Sequence, residues 1–359
     1  MKKRIASVLI TAAVVMTQLC GCSITTKDAA QTATTAAQTE ASAAKEEAAA
    51  EAGGEQIRFV MGHAGNDDLT DGIMALKFNE LLEERSGGRI TVDYKTNSTL
   101  GEEDELVQQV MNGSIQATCV STSTFSDYTN IMDALQLPFL YSDYETERTA
   151  LKSDAAKALY KDMEDFGLKI TDVCEIGLRH FANNIRPINT MEDLSGIKMR
   201  IVPSTLLTDV AAEIKMDVTP VAYGEIYSAL QSKVIDGEEI NLISIVSNSH
   251  DEVLKYVSLI GFYSFPSALT FNLDWYNSLS AEDQALIEEC SAEAMDYAMD
   301  KCEQIDKDSL AACEERGLEI NTISEEEKQR FIDACQPVYD KYCGDNENIK
   351  NYVEYVRGL

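Results

Sequence analysis

The chain has 359 residues, 61 acidic and 30 basic, for a formal net charge of −31 at pH 7. That balance excludes nucleic acid or an anionic membrane surface as a charge-attracted partner. The stretch beyond residue 55 exceeds one ordinary domain and suits two lobes.

The N-terminus reads as a processing segment. Lys2, Lys3 and Arg4 form a positive n-region, and residues 5–17 a short apolar h-region, too short to span a bilayer as an anchor. Leu19-Cys20-Gly21-Cys22 looks like a lipobox. Residues 1–21 would then be a lipoprotein signal peptide, with Cys22 the lipidated first residue. An ordinary signal peptide with a chance cysteine is the alternative. One lipid chain anchors a protein to the membrane without spanning it. Residues 22–55 are that cysteine and a tether rich in Ala, Thr, Ser, Glu and Gln, with no aromatic residue to build a core. No later run is long and apolar enough to cross a membrane.

Residues 57–61 alternate like a strand and lead into Gly62-His63-Ala64-Gly65. Asp67 or Asp68 is placed to cap a helix carrying Leu69, Ile73, Leu76 and Leu81 on one face, ended by Gly87-Gly88. A second strand (90–94), a loop (97–101), a helix (102–111) and a third strand (115–120) follow. This alternation predicts an α/β lobe with a parallel sheet, whose ligand would sit off the strands' carboxyl ends. The loops that fit are 63–65, 97–102 and 121–124. Residues 145–166 read as one long helix and 168–174 as a strand. Ser204 caps a helix after Pro203, and 225–233 form another. Residues 258–261 and 268–273 look like strands returning to the first lobe. Residues 281–317 read as one helix capped by Ser280, with a break near Asp300 as the alternative. At ~50 Å it is longer than a lobe of ~40 Å and should lie across both. Helices near 325–342 and 349–357 close the chain.

Of nine cysteines, Cys20 and Cys22 belong to the processing segment, leaving an odd seven that cannot all pair. Cys290, Cys302 and Cys313 lie too far apart along one helix to bridge. Cys119 and Cys174 read as buried thiols. Cys335 and Cys343 can bridge only if the helix ends between them. Mostly free thiols are expected, which fits an anaerobic source. The absence of a Cys-x-x-Cys spacing argues against zinc.

The stretch 177–241 is different in charge: it opens with Arg179, Arg186, Lys198 and Arg200. Arg200 closes a short apolar run, and Pro203 follows three residues later. A guanidinium at a strand end can fork two hydrogen bonds onto a carboxylate, or form an internal salt bridge. Asp236-Gly237 reads as a turn. Several phrases here recur in order: Arg186-Pro187-Ile188, Glu192-Asp193-Leu194-Ser195-Gly196-Ile197-Lys198-Met199-Arg200, Thr219-Pro220, Glu225-Ile226-Tyr227-Ser228-Ala229-Leu230-Gln231, and Asp236-Gly237-x-Glu239. By these the chain resembles the DctP-type solute-binding proteins of tripartite ATP-independent periplasmic (TRAP) transporters, from about residue 57 to 342.

The resemblance implies a two-lobed periplasmic-binding-protein-like α/β fold with a long helix spanning both lobes. Lobe I would be 56–176, completed by about 261–295, and lobe II 177–260, completed by about 296–359. It implies that Arg200 fixes a substrate carboxylate and that Arg179 helps. Asn241 and Glu239 fall where relatives carry ligand-facing groups, although Ile240 occupies the usual first Asn position. His63 matches a polar ligand contact, with a structural histidine as the alternative. Glu102 is either a ligand contact or a helix-start charge. Ser121 and Thr124 sit in a loop that carries Glu and Arg in sialate-binding relatives, which argues against sialate. Phe262, Tyr263 and Tyr223 offer an apolar wall or plain core. No cofactor or metal is expected.

The leading expectation is therefore an extracytoplasmic binding protein that captures a small organic acid, a sugar acid or C4-dicarboxylate, by lobe closure. It would deliver that acid to TRAP permease membrane subunits. A receptor-docking, ligand-sensing lipoprotein is the alternative. A hydrolase is disfavoured by three histidines and no nucleophile elbow, zinc motif or phosphate loop.

Overall fold

A computed structural model describes residues 55–344 and 346–359; the lipobox, Cys22 and the tether lie outside the described residues. Two sheets organise the described chain. The first holds β1 (Ile57–His63), β2 (Ile90–Lys95), β3 (Ala117–Ser121), β4 (Leu168–Glu175) and β10 (Pro266–Asn272), in the order β2-β1-β3-β10-β4. β1 pairs in parallel with β2 and β3, while β10 runs antiparallel between β3 and β4. Every residue of β3 and β10 is buried, as expected of central strands covered on both faces. The edge strand β2 is mostly half-buried.

The second sheet holds β5 (His180–Asn183), β6 (Lys198–Ile201), β7 (Asp217–Pro220), β8 (Gly237–Ile240), β9 (Tyr256–Leu259) and β11 (Glu319–Thr322), in the order β11-β9-β5-β8-β6-β7. β9 therefore belongs with the second sheet, not with the first as 258–261 was expected to do. Its antiparallel register with β5 fixes this, and only β10 returns to the first sheet.

Helix α1 (Thr70–Arg85) lays Met74, Phe78 and Leu82 against Phe59 and Met61 of β1. Its N-cap is Leu69 with no side-chain bond, so neither Asp67 nor Asp68 caps it; Asn66 instead turns the loop by accepting from Asp68 N. α2 (Glu103–Met111) follows β2. The helix expected over 145–166 is interrupted. α3 (Tyr144–Leu151) ends at Lys152, and Ser153 opens α4 (Asp154–Asp162) by accepting from Ala156 N. A 3-10 turn, Met163–Phe166, completes the segment.

α5 (Thr205–Glu213) is capped by Ser204, which accepts from Leu207 N. α6 (Ile226–Gln231) and α7 (Leu242–Ser247) precede and follow β8. α8 (Leu273–Ser278) is short. α9 (Ala281–Glu315) is a continuous 35-residue helix with Ser280 as its cap, so no break occurs near Asp300. Its first half packs Ile287, Ala294, Met295 and Ala298 into the first sheet's core. Cys313, near its end, joins Leu254, Val257 and Leu318 of the second.

The expected helix over 325–342 is two, α10 (Glu325–Ala334) and α11 (Gln336–Cys343), with Pro337 just inside the second. The last helix, α12 (Glu347–Arg357), packs on α3 and α4 beside the first sheet, not with the second as expected for 296–359. Asn348 Nδ2 donates to Asp162 at 2.6 Å, and the Tyr141 and Tyr352 hydroxyls meet at 2.7 Å. All seven described cysteines are free, six of them buried.

Two strand crossovers join the sheets, residues 176–179 and 260–265. They bond to each other: Ile176 N donates to Phe265 O, Arg179 N to Tyr263 O, and Phe262 N to Arg179 O at 2.8 Å. The buried carboxylate of Glu175 holds both, since its Oε1 accepts from Gly177 N (2.7 Å) and Phe265 N (3.0 Å). Gly177 has φ 139, and a Cβ there would approach Asn241 Cβ at 3.2 Å, so glycine suits both the backbone and the space. Glu147 of α3 faces Glu175 and accepts from Ser264 Oγ at 3.1 Å. Burial raises both carboxyls, Glu147 well above its ordinary value with the Glu175 charge adding to the rise.

Burial also lifts the Asp133 carboxyl to about 7 against a bond from Ser126. The folded state thus holds a proton that the unfolded state loses near pH 4. Its stabilising contribution is complete below about pH 4 and is lost as pH rises to about 7. The loss is up to about 4 kcal/mol over three units. Asp133→Asn should remove this slope in urea unfolding measured across that range. Parallel wild-type and variant profiles would refute it.

Candidate functional site

Arg200 lies on β6, between β7 and β8, and is 1% exposed. Its Nε donates to Val221 O at 2.9 Å, while its Nη1 has no hydrogen-bond partner. Burial pushes the guanidinium below its ordinary value, against the pull of Glu239. This is a strained electrostatic position: a buried charge whose nearest carboxylate is already engaged.

Glu239 is engaged with Arg179. Arg179 Nε donates to Glu239 Oε2 at 2.8 Å and Nη2 to the Glu239 carbonyl at 2.6 Å, with Phe265's ring 4.1 Å from the guanidinium. Tyr263 Oη bonds the same Oε2, and Val202 N donates to Oε1 at 3.3 Å. Burial works against the Arg179 charge, yet Glu239 holds its pKa above the ordinary value. Glu239, expected as a ligand contact, is held by the protein's own donors. Both its oxygens have protein donors, and it lines neither cavity of the cleft.

Two adjoining cavities of about 40 and 30 Å³ lie between the sheets, each with room for only a few waters. Arg200, Val202, Tyr223 and Glu103 line both. The inner one adds His63, Asp71, Arg179 and Asn241, while the outer adds Glu102, Asp104 and Asp127. Two bonds close the cleft across the sheets: Gly224 N to Glu102 Oε2 at 3.3 Å, and the hydroxyls of Ser126 and Ser204 at 3.1 Å.

Asn241 caps the position before α7, at the end of β8. Its Nδ2 donates to Ile176 O at 3.3 Å and its Oδ1 is unpartnered. His63, at the end of β1, is buried between Tyr94 Oη (2.9 Å) and Asp71 Oδ2 (3.1 Å). Burial lowers its pKa, but Asp71 outweighs burial and leaves it raised. Both ring nitrogens are thus held by protein. The structure therefore gathers Arg200, Arg179, Asn241, His63 and Glu102 around one cleft.

It does not bring Ser121 or Phe262 there. Ser121 Oγ donates to Glu103 Oε2 at 2.7 Å and so acts on a neighbour. Phe262 packs in an aromatic cluster with Phe139, Phe181, Phe331 and Tyr263. The sequence reading missed Glu103, Asp71 and Phe265. Glu103 was hidden by Glu102 beside it. The clue was the cluster of hydroxyl donors at 121–124, which needs an acceptor. Among the described residues no group of His, Cys, Asp or Glu is placed to hold a metal ion.

The chain matches the family model of bacterial extracellular solute-binding protein, family 7 (DctP), over residues 61–345. It belongs to that family. The family 7 proteins bind solutes outside the cytoplasm for TRAP transport and are not enzymes, and this chain is one of them. A TRAP solute-binding protein of a Bradyrhizobium species, solved in complex with α/β-D-galacturonate, is 26% identical. It superposes with a TM-score of 0.80, covering 84% of this chain and 100% of that one. One from Roseobacter denitrificans with bound β-D-glucuronate is 28% identical with a TM-score of 0.79, covering 84% and 99%. The 2,3-diketo-L-gulonate-binding periplasmic protein of Escherichia coli is 26% identical over 78% of this chain and 84% of its own length. The two-sheet α/β fold described above matches these TRAP periplasmic binding-protein structures. No helix among the described residues is long and apolar enough to cross a membrane.

Proposed function

We propose that this chain captures a small organic acid, a sugar acid or C4-dicarboxylate, by clamping its carboxylate on Arg200 between closing lobes. It then delivers the acid to TRAP permease membrane subunits while held at the membrane by a lipid on Cys22. The observation that carries this reading is the unpartnered Nη1 of a buried arginine facing the cleft. Such a charge is costly unless an anion joins it, and each charge-assisted bond contributes about 1.5–3 kcal/mol. Asn241, with a free Oδ1, supplies an acceptor for a ligand hydroxyl. Arg179 lines the same cavity and adds positive field while remaining tied to Glu239.

Thermal unfolding of the full chain against a panel of organic acids tests the reading. A ligand at about 1,000 times its Kd adds about 4 kcal/mol, which reads as a shift of several degrees. No shift with any carboxylate, from a cooperatively folded sample, would reject it.

A further inference from the structure

We infer that Glu103 sets the substrate class of this cleft: a single carboxylate with hydroxyl donors at its far end, to the exclusion of dicarboxylates. The inference rests on the Arg200 clamp proposed above.

The two walls of the inner cavity carry opposite charge. The lobe II wall presents Arg200 and Arg179, and the lobe I wall Glu103 and Asp71. Asp71 is tied to His63 and Arg179 to Glu239, which leaves Arg200 and Glu103 as the charges facing the space without an opposite partner. Glu103 is fixed in place. Ser121 N donates to its Oε1 at 2.8 Å, and Ser121 Oγ and Thr124 Oγ1 donate to its Oε2 at 2.7 and 3.0 Å. It also sits at the first position of α2, where the helix dipole favours an anion. It is therefore a fixed carboxylate, with acceptor capacity left on Oε1.

A ligand held by its carboxylate on Arg200 extends toward this wall. Hydroxyls there find an acceptor in Glu103. A second carboxylate there meets a like charge in a cavity that has no second free cation among the described residues lining it. The same logic extends outward, where Glu102, Asp104 and Asp127 line the neighbouring space.

The test measures Kd by calorimetry for hexuronates and aldonates against succinate, malate and fumarate, with wild type and Glu103→Gln. The glutamine keeps the shape, can accept from Ser121 N and can donate to the two hydroxyls, so the fold should survive. The unliganded unfolding temperature verifies this. Wild type should favour the hydroxylated monoacids. Glu103→Gln should narrow the gap to the dicarboxylates by about tenfold or more, with the preference retained in high salt. Tighter dicarboxylate binding by wild type would overturn the inference while leaving the Arg200 clamp intact. So would a preference that Glu103→Gln leaves unchanged, or one that salt abolishes, because the net charge would then be its source. Failure of every acid to bind would instead overturn the clamp itself.

Discussion

Arg200→Ala is expected to weaken binding of the cognate acid by about 10²–10³-fold without lowering the stability of the ligand-free protein. Truncating one partner of a buried charged hydrogen bond costs about 2–5 kcal/mol, so the loss should sit in the dissociation rate. The unliganded state behaves oppositely. Nη1 is buried without a partner, and burial already pushes the guanidinium below its ordinary value. Removing that charge relieves a desolvation penalty that only ligand compensates, against the loss of one bond to Val221 O. Arg200→Met, which keeps more of the packing, should raise the unliganded unfolding temperature further. A variant that binds as well as wild type would sink the clamp. One that unfolds cooperatively but well below wild type would make Arg200 a structural residue.

Breaking the neighbouring pair should do the reverse. Glu239→Ala is expected to lose about 3–5 kcal/mol, because it strands the Arg179 charge and leaves Tyr263 Oη without its acceptor. For a protein of this size that is a fall of about 5–8 °C. Arg179→Met with Glu239→Leu together should recover much of it, since an apolar pair of similar volume has no charge to desolvate. A double variant as unstable as the sum of the singles would show that the two residues act separately. Since Arg179 also lines the inner cavity, the double variant should still weaken acid binding, a smaller effect than that of Arg200→Ala.

The contrast between these two arginines marks how far the sequence could be read. Arg200 was legible, because its phrase and the proline after it place it at a strand end. That Arg179 would be neutralised from β8 was not, because the pairing of β5 with β8 spans 60 residues of chain. The same limit hid the sheet membership of β9, which is decided by its register against β5. The break at Ser153, which splits the stretch read as one helix, was missed as well. Glu103 shows a subtler gap. Adjacent glutamates at a helix start differ by about 100° in direction, so one residue of uncertainty in the cap decides which reaches the inner cavity. The strand–helix alternation of the first sheet and the unbroken α9 followed from spacing and caps alone, because those contacts are local.

Helix α9 has a mechanical consequence. Its first half is bolted to the first lobe by Arg89–Asp283, Arg85–Glu289 and Glu293, Lys152–Asp296 and Arg148–Asp300. Its last turn is fastened to the second lobe by Arg316, which bonds Asp251 and Val246 O. Between Asp300 and Arg316 two side-chain hydrogen bonds tie the rod to the first lobe: Cys302 Sγ donates to Glu175 O at 3.6 Å, and Tyr144 Oη donates to Asp306. Any rotation of one lobe against the other therefore loads the stretch between Asp306 and Cys313, about two turns, as a clamped leaf spring. The restoring force of that spring, set by its length, would bias the resting angle of the cleft before any solute arrives.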